Sequence, residues 1–157
     1  MSRLAIALTT IPLALATLLA TGCSSDEDEG APSACLAGSA TYLEALQAAP
    51  NEVLLEGEAP ISDCLTPDQE GGQLAGIGEE MVAAATALNA TAQENPTGPE
   101  ALQLGYLVGA VERGSEGIHA DLVRRLNSAA RFSPDGLLPP EFERTFGEGY
   151  AAGLESG

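Results

Sequence analysis

Residues 99–113, PEALQLGYLVGAVER, decide the fold of this chain. The small residues Ala101, Gly105 and Gly109 recur every four positions, which places them on one face of an α-helix. Leucines and valines give the same helix a second apolar side, made of Leu104, Leu107, Val108 and Val111. A helix with two faces suited to packing needs neighbours on both, so we expect it to lie at the centre of the domain.

The same spacing of small residues is typical of transmembrane helix pairs that pack through GxxxG motifs. The apolar run is too short to span a bilayer, and it lies far from the apolar stretch at the amino terminus. We therefore expect close packing against another helix within the domain.

Helical periodicity dominates the chain from residue 34 onwards, and strand-like alternation is scarce. A first helix is expected over 34–49 and a loop over 51–65. The sequence TPDQ at 66–69 combines an N-cap hydroxyl, a proline and a capping-box glutamine, which predicts a second helix over 66–94. Glycines at 71, 72, 76 and 78 indicate either a later start or a closely packed neighbour. The apolar faces expected on these two helices are Leu36, Ala40, Leu43 and Leu46, then Leu74, Ile77, Met81, Ala84 and Leu88.

Two further helices follow the central one. An apolar stripe predicts a helix that ends near residue 132, SPDG at 133–136 predicts a turn, and a last helix is expected over 140–154. On the last helix Phe142, Phe146 and Tyr150 are expected to form a buried aromatic seam, with an aromatic ligand cradle as the alternative. The stripe of the preceding helix is Ile118, Leu122, Leu126 and Ala130. The fold class is then all-α, a small bundle of four or five helices.

The first 23 residues have a different character. Arg3 supplies a positive charge, residues 4–20 are apolar or threonine apart from Pro12, and small residues lead to Cys23. This pattern resembles the lipobox signal of bacterial lipoproteins, in which the cysteine is acylated and the signal is cut before it. The resemblance covers residues 1–23 only. It implies that Cys23 is the lipid attachment point. The alternatives are an uncleaved membrane anchor and an ordinary secreted protein in which Cys23 is free or paired.

The resemblance also implies a place in the cell. A lipoprotein is held by its amino-terminal lipid on the extracytoplasmic face of a cell membrane or an outer membrane. Three cysteines in an exported chain leave one over, and acylation accounts for Cys23. Cys35 and Cys64 are then expected to form a disulfide, because thiols outside the cytoplasm are usually oxidised. Two free thiols at a metal or catalytic site are the alternative.

Four consecutive acids, at residues 26–29, follow the lipobox cysteine. Like charges repel, so residues 23–33 are expected to form an acidic, flexible linker between the lipid and the domain. A calcium site is the alternative, but the run lacks the alternating ligands and the turn glycine of an EF-hand loop. The expected organisation is therefore a signal peptide over 1–22, a linker over 23–33 and a helical domain over 34–157.

The charge of the chain excludes one class of partner. Its 23 acidic residues outnumber its 6 arginines, and the net charge is −17. Residues 23–112 contain 16 acids and no basic residue. Such a surface repels nucleic acid, so we expect no DNA or RNA partner.

The sequence contains few residues in patterns typical of catalytic sites. The sequence contains neither a G-x-S-x-G nucleophile elbow nor a phosphate-binding G-x-x-x-x-G-K motif. His119 is the single histidine, and near the start of a helix we expect it to be a surface or capping residue. Four arginines offer an anion clamp, but ion pairs with the protein's own acids, such as Asp121, are favoured. These arginines are Arg113, Arg124, Arg125 and Arg131.

The favoured function is that of a membrane-tethered, non-enzymatic helical module that binds an envelope protein or another envelope component. No catalytic residue, cofactor or metal ligand is assigned. Two alternatives remain, a small cell-envelope hydrolase that uses carboxylates and an acidic, cation-binding surface protein. Replacing Glu79 and Glu80 with glutamine is expected to impair either alternative and to leave the tethered module unaffected.

Overall fold

A computed structural model describes residues 30–131 and 138–157. Cys23, the acidic run at 26–29 and the turn expected at 133–136 lie outside the described residues. The described residues form a mostly helical bundle, which confirms the all-α class. Its α-helices are α1 (Ser39–Ala45), α2 (Gly71–Glu94), α3 (Pro99–Ser115), α4 (Ala120–Ala129) and α5 (Pro140–Ser156).

Helix α3 is the central element of the bundle. It contacts α2, α4, α5 and a 3-10 helix at Ile61–Cys64. It begins after Gly98 with Pro99, whose fixed φ and missing N–H suit the first position of a helix. Apolar side chains that lose all contact with solvent are spread around its whole circumference: Ala101, Leu104, Tyr106, Leu107, Ala110 and Val111. The central position expected from the sequence is confirmed.

Glycines bring α3 and α5 into backbone contact. A Cβ atom added at Gly105 would overlap the carbonyl oxygen of Phe146, and one added at Gly149 would overlap that of Leu102. The same holds one turn further along, where Gly153 lies against the backbone of α3. The close packing expected for the small-residue face is therefore present, and α5 supplies glycines of its own to it.

The prediction of one continuous helix over 34–49 is wrong, because the chain forms three shorter helical elements in this region. A 3-10 helix at Ser33–Leu36 precedes α1, and another at Leu46–Ala48 follows it. Gly38 interrupts the helix with φ 100°, a conformation that glycine adopts without steric cost. The predicted face is correct only in part, because Leu46 is buried and Leu43 half-buried, whereas Ala40 is exposed and Leu36 is 50% exposed. Tyr42, which lies outside that face, is buried.

The loop expected over 51–65 contains a small hairpin and a 3-10 helix. Strand β1 (Leu54–Leu55) pairs antiparallel with β2 (Ala59–Pro60). The turn between them places Glu56 and Gly57 at positive φ, which matches the twist of tight hairpins. The 3-10 helix Ile61–Cys64 follows directly and packs on α3.

Helix α2 begins later than its start signal predicts. Residues 66–69 form a turn in which the Gln69 amide donates to the carbonyl of Thr66 at 3.3 Å, and the helix starts at Gly71. The Gln69 side chain donates to the carbonyl of Cys64 at 3.1 Å, so it is not available as a cap. Of the apolar face predicted for this helix, Ile77, Met81, Ala84 and Leu88 are buried and Leu74 is half-buried.

The last two helices follow their predicted patterns in part. On α4, Leu122 and Leu126 are buried, but Ile118 lies before the helix and is 54% exposed. On α5, Phe142 is buried, while Phe146 and Tyr150 are half-buried and stack in a row with it. In the described parts of the chain no helix combines the length and apolar character that crossing a membrane requires.

Candidate functional site

A cleft of about 540 Å³ lies at the carboxyl end of α3. We call it the dipolar cleft and define it by six lining residues: Ser62, Asp63, Thr66, Arg113, Glu116 and Ile118. Its volume falls within the range of roughly 300–1,000 Å³ that small-molecule sites occupy. The cleft joins the segment after the hairpin to the end of the central helix, so two distant parts of the sequence form it.

The first wall of the dipolar cleft is fixed by backbone contact and by a covalent bond. A Cβ atom at Gly114 would overlap the carbonyl oxygen of Ser62, so α3 touches the 3-10 helix directly. Cys64 ends that 3-10 helix and forms a disulfide with Cys35, with their Cα atoms 5.6 Å apart. The Tyr42 hydroxyl donates to the carbonyl of Cys35 at 2.8 Å. The disulfide therefore holds this wall in place, and the Tyr42 hydrogen bond fixes the cysteine at its other end.

The second wall follows the end of α3. Glu116 has φ 43° and Gly117 has φ 84°, so the chain turns through the left-handed region as it leaves the helix. That conformation costs a non-glycine residue about 1 kcal/mol or more. His119 Nε2 lies 3.2 Å from the carbonyl oxygen of Thr66, and this contact joins the second wall to the first.

The charges that line the dipolar cleft do not neutralise one another. Asp63, Glu116 and Arg113 share the cleft, yet within the described chain none of them pairs with another. Arg113 instead donates from Nη1 to the carbonyl of Glu155 on α5. The Thr66 hydroxyl oxygen is buried and has no hydrogen-bond partner among the described residues. The cleft thus presents exposed side chains of both signs of charge.

The cleft does not contain a paired nucleophile and base. The Ser62 hydroxyl donates to the Asp63 carboxylate at 3.3 Å, and His119 is engaged with the carbonyl of Thr66. In a Ser–His catalytic pair the histidine lies within hydrogen-bond reach of the serine hydroxyl, and among the described residues no hydrogen bond joins Ser62 to His119.

The structure confirms the pairing predicted for Cys35 and Cys64. His119 lies at the start of α4 as expected, and its ring bonds the carbonyl of Thr66. The acylation of Cys23 falls outside the described residues and stays a prediction.

The four arginines are not gathered into an anion clamp. Arg124 forms an ion pair with Asp121, as the sequence favours, and both side chains are largely exposed. Arg113 bonds α5 instead. The Arg131 carbonyl accepts a hydrogen bond from the Asn89 side chain at 2.8 Å, which ties the end of α4 to α2.

The two glutamates chosen for substitution differ in role. Glu79 is exposed, whereas Glu80 accepts a hydrogen bond from the backbone N–H of Ser39 at 2.6 Å, at the first residue of α1. Burial raises the pKa of the Tyr42 hydroxyl, and the nearby charge of Glu80 raises it further. Replacing both glutamates would therefore disturb α1 and cannot separate the functions.

Elsewhere in the described residues, no group of three or more His, Cys, Asp or Glu side chains is arranged to hold a metal ion.

The Tyr150 hydroxyl donates to the Glu112 carboxylate at 2.7 Å, and that hydrogen bond is the main cause of a raised Tyr150 pKa. This hydrogen bond links α5 to α3 close to the carboxyl end of α3, where the dipolar cleft lies.

Sequence reasoning identified Arg113 but not Asp63, Thr66 or Glu116. The pair Glu116-Gly117, directly after the central helix, is a turn signal that points to a functional loop. Asp63 lies next to a cysteine predicted to be paired, yet its position opposite α3 depends on the tertiary fold.

Comparisons with known proteins return no match, whether with protein-family models, with curated proteins or with solved structures. Function is therefore inferred from the residues and geometry of this chain.

Proposed function

We propose that this protein is a lipid-anchored extracytoplasmic module that binds a partner and does not catalyse a reaction. Cys23 carries the lipid, the residues between Cys23 and Gly30 form the linker, and the helical bundle presents the binding surface. The lipobox pattern over residues 1–23 supports the anchor.

The buried disulfide between Cys35 and Cys64 is the observation that carries this proposal. Both cysteines are fully buried, and such bonds persist in oxidising compartments outside the cytoplasm. The bond lies immediately after the linker, so a pull on the lipid is transmitted to the 3-10 helix that contacts α3. The position of the crosslink suits a tethered domain.

Further contacts fasten the chain where it leaves the linker. The Ala31 amide donates to the Gln73 side chain of α2 at 3.4 Å, and Ala34 is buried in the core. Gly30 lies seven positions after Cys23, and a fully extended chain of seven residues spans about 25 Å at most. The domain is thereby confined near the membrane, which raises its effective concentration toward a membrane partner.

The surface charge narrows the class of partner. Apart from Asp121, no carboxylate in the described residues forms an ion pair. Glu80 and Glu112 accept hydrogen bonds within the domain, and most of the other acids remain available to solvent or to a partner. This charge repels nucleic acid and anionic lipid headgroups. The partner is an envelope protein or another envelope component that tolerates or complements a negative surface.

Acyl labelling in living cells tests the anchor. Cells that express the protein are fed an alkyne-bearing fatty acid, and the labelled protein is compared with the Cys23→Ala variant. We expect label on the wild type, none on Cys23→Ala, and release of the variant from the membrane. Label on both proteins, or on neither, contradicts the anchor.

Crosslinking in the intact envelope tests the binding role. The tagged protein is recovered after crosslinking, and mass spectrometry identifies the proteins that accompany it. We expect one partner at near-equal amount, greatly reduced with Cys23→Ala. A recovery that is identical for wild type and variant would show that the tether does not contribute to binding.

A further inference from the structure

We infer that the dipolar cleft binds a small zwitterion, an α-amino acid or a short peptide that carries both an ammonium and a carboxylate group. The inference rests on the proposed function in one respect, because it takes the domain to bind and release its ligand unchanged. It names the ligand class and the residues that recognise it.

The unpaired charges of the dipolar cleft are the first support. Arg113 and Glu116 are three positions apart, a spacing at which opposite charges pair on a continuous helix. The left-handed conformation of Glu116 ends the helix at that point, and the two side chains form no ion pair. Asp63 adds a second carboxylate from the opposite wall. A ligand with both charges can satisfy these groups simultaneously.

The positions of the charges suggest how the ligand lies. The carboxyl end of α3 carries the partial negative charge of a helix terminus, which adds to the carboxylates of Asp63 and Glu116. An ammonium group is therefore favoured on that side. Arg113 uses one N–H on the carbonyl of Glu155 and keeps further donors in a planar fork that matches a carboxylate. Its bond to α5 orients the guanidinium before any ligand arrives.

The remaining lining explains why the ligand carries apolar groups as well. Leu65 and Pro67 contribute apolar surface, and Ile118 at the rim is 54% exposed. A ligand side chain that covers Ile118 removes apolar surface from water. A leucine-like amino acid, or a dipeptide that contains it, combines these features.

Calorimetric titration with four probes tests the inference on the full protein isolated from its own cells with its disulfide intact. The probes are L-leucine, leucyl-leucine, N-acetyl-leucine, which lacks the ammonium, and leucinamide, which lacks the carboxylate. We expect at least one zwitterionic probe to bind at least tenfold more tightly than both blocked probes. Preference for leucine indicates a free amino acid, and preference for leucyl-leucine indicates a peptide. Equal affinity for all four, or binding of none at millimolar concentration, overturns the inference.

Two variants test which charged side chain binds the carboxylate of the ligand and which binds its ammonium group. Arg113→Gln is expected to weaken binding of the zwitterion at least tenfold and to leave leucinamide unaffected, because leucinamide has no carboxylate. Asp63→Asn is expected to weaken the zwitterion and to leave N-acetyl-leucine unaffected. Arg125→Gln is the matched control, since Arg125 is exposed on α4 and outside the dipolar cleft. A loss of affinity equal to that of Arg113→Gln in this control overturns the assignment.

Arg113 also bonds α5, so its replacement can lower stability. Arg113→Lys keeps the positive charge but not the planar fork, so we expect it to lose affinity, though less than Arg113→Gln does. Equal losses in both, at temperatures well below the melting point, contradict a role in carboxylate binding. Failure of acyl labelling would remove the membrane anchor and leave these titrations valid, so the two proposals fail separately.

Discussion

The α3–α5 pair and the segment from residue 33 to residue 65 are held together in opposite ways. Glycines let the two long helices approach until their backbones touch, and that contact extends over several turns. The other segment consists of a seven-residue helix, two-residue strands and 3-10 turns, and it is closed by a disulfide. Long elements can be stabilised by their own packing, whereas short ones bury too little surface and need a covalent link.

The largest effect is expected from a methyl group inside the helix pair. In Gly149→Ala the new Cβ would overlap the carbonyl oxygen of Leu102, which is backbone and cannot rotate away. Overpacking usually costs about 1–3 kcal/mol, and against a fixed carbonyl we expect a loss of about 4 kcal/mol or more. Urea unfolding followed by circular dichroism measures the change.

Gly147→Ala is the matched control on the same helix. Its added Cβ meets no atom within 4 Å, so only helix propensity changes, by up to about 1 kcal/mol in favour of the folded state. If both variants lose stability equally, close backbone contact is not the source of the effect. Glycine-mediated backbone contact would then not explain how α3 and α5 are held together.

The disulfide is expected to have the next largest effect. Replacing Cys35 and Cys64 together with alanine opens a loop whose ends are 29 residues apart, and the chain-entropy model gives a loss of roughly 3 to 4 kcal/mol. Amide hydrogen exchange under native conditions should become faster in the variant. The increase in exchange rate should be concentrated in residues 33–65, with α3 and α5 less affected. A uniform increase over both regions would indicate that they unfold as one unit. Cys23→Ala serves as the control and should leave exchange unchanged.

The smallest effect is expected from the tyrosine that supports the disulfide. Tyr42→Phe removes the hydroxyl that bonds the carbonyl of Cys35, which we expect to cost about 1–2 kcal/mol at neutral pH. Burial raises the Tyr42 pKa above its ordinary value of 10.0, so the folded state keeps a proton that the unfolded state releases at high pH. The corresponding stability is present below about pH 10 and is lost as the pH rises further.

Denaturant unfolding between pH 7 and pH 11 measures this dependence. The wild type should lose stability above about pH 10 more steeply than Tyr42→Phe does. Tyr150→Phe is the comparison variant, because the Tyr150 pKa is raised mainly by the hydrogen bond to Glu112. Since Tyr150 is more exposed than Tyr42, its replacement should reduce the decline less than Tyr42→Phe does. A parallel decline in wild type and Tyr42→Phe would show that Tyr42 does not link the fold to pH.

Local patterns predicted the long helices well and the short elements poorly. The proline at residue 99 and the apolar spacing of α3 specify a helix without help from the rest of the chain. In contrast, Gly38 breaks the first predicted helix, and Tyr42 turns inward to reach Cys35 seven residues before it. Contacts with α2 and the disulfide decide that arrangement, so periodicity alone placed Leu46 correctly but missed Tyr42 and placed the exposed Leu36 inward.

The candidate site shows the same limit. Arg113 stood out in the sequence as one of few cations, but the sequence gives no sign that Asp63 lies across a cleft from it. That proximity depends on Gly114, whose missing side chain lets α3 contact the backbone of Ser62. A tertiary contact of this kind leaves no local periodicity by which it can be recognised.

By itself, the sequence determined the helical class, the central place of α3 and, through the resemblance of residues 1–23, the expectation that Cys35 and Cys64 pair. These properties depend on residue spacing and composition, which act over a few turns of chain. The tertiary structure alone decided the hairpin, the glycine contacts supplied by α5 and the dipolar cleft. Each of these depends on groups distant in sequence, and their free energy arises only when the folded chain brings them together.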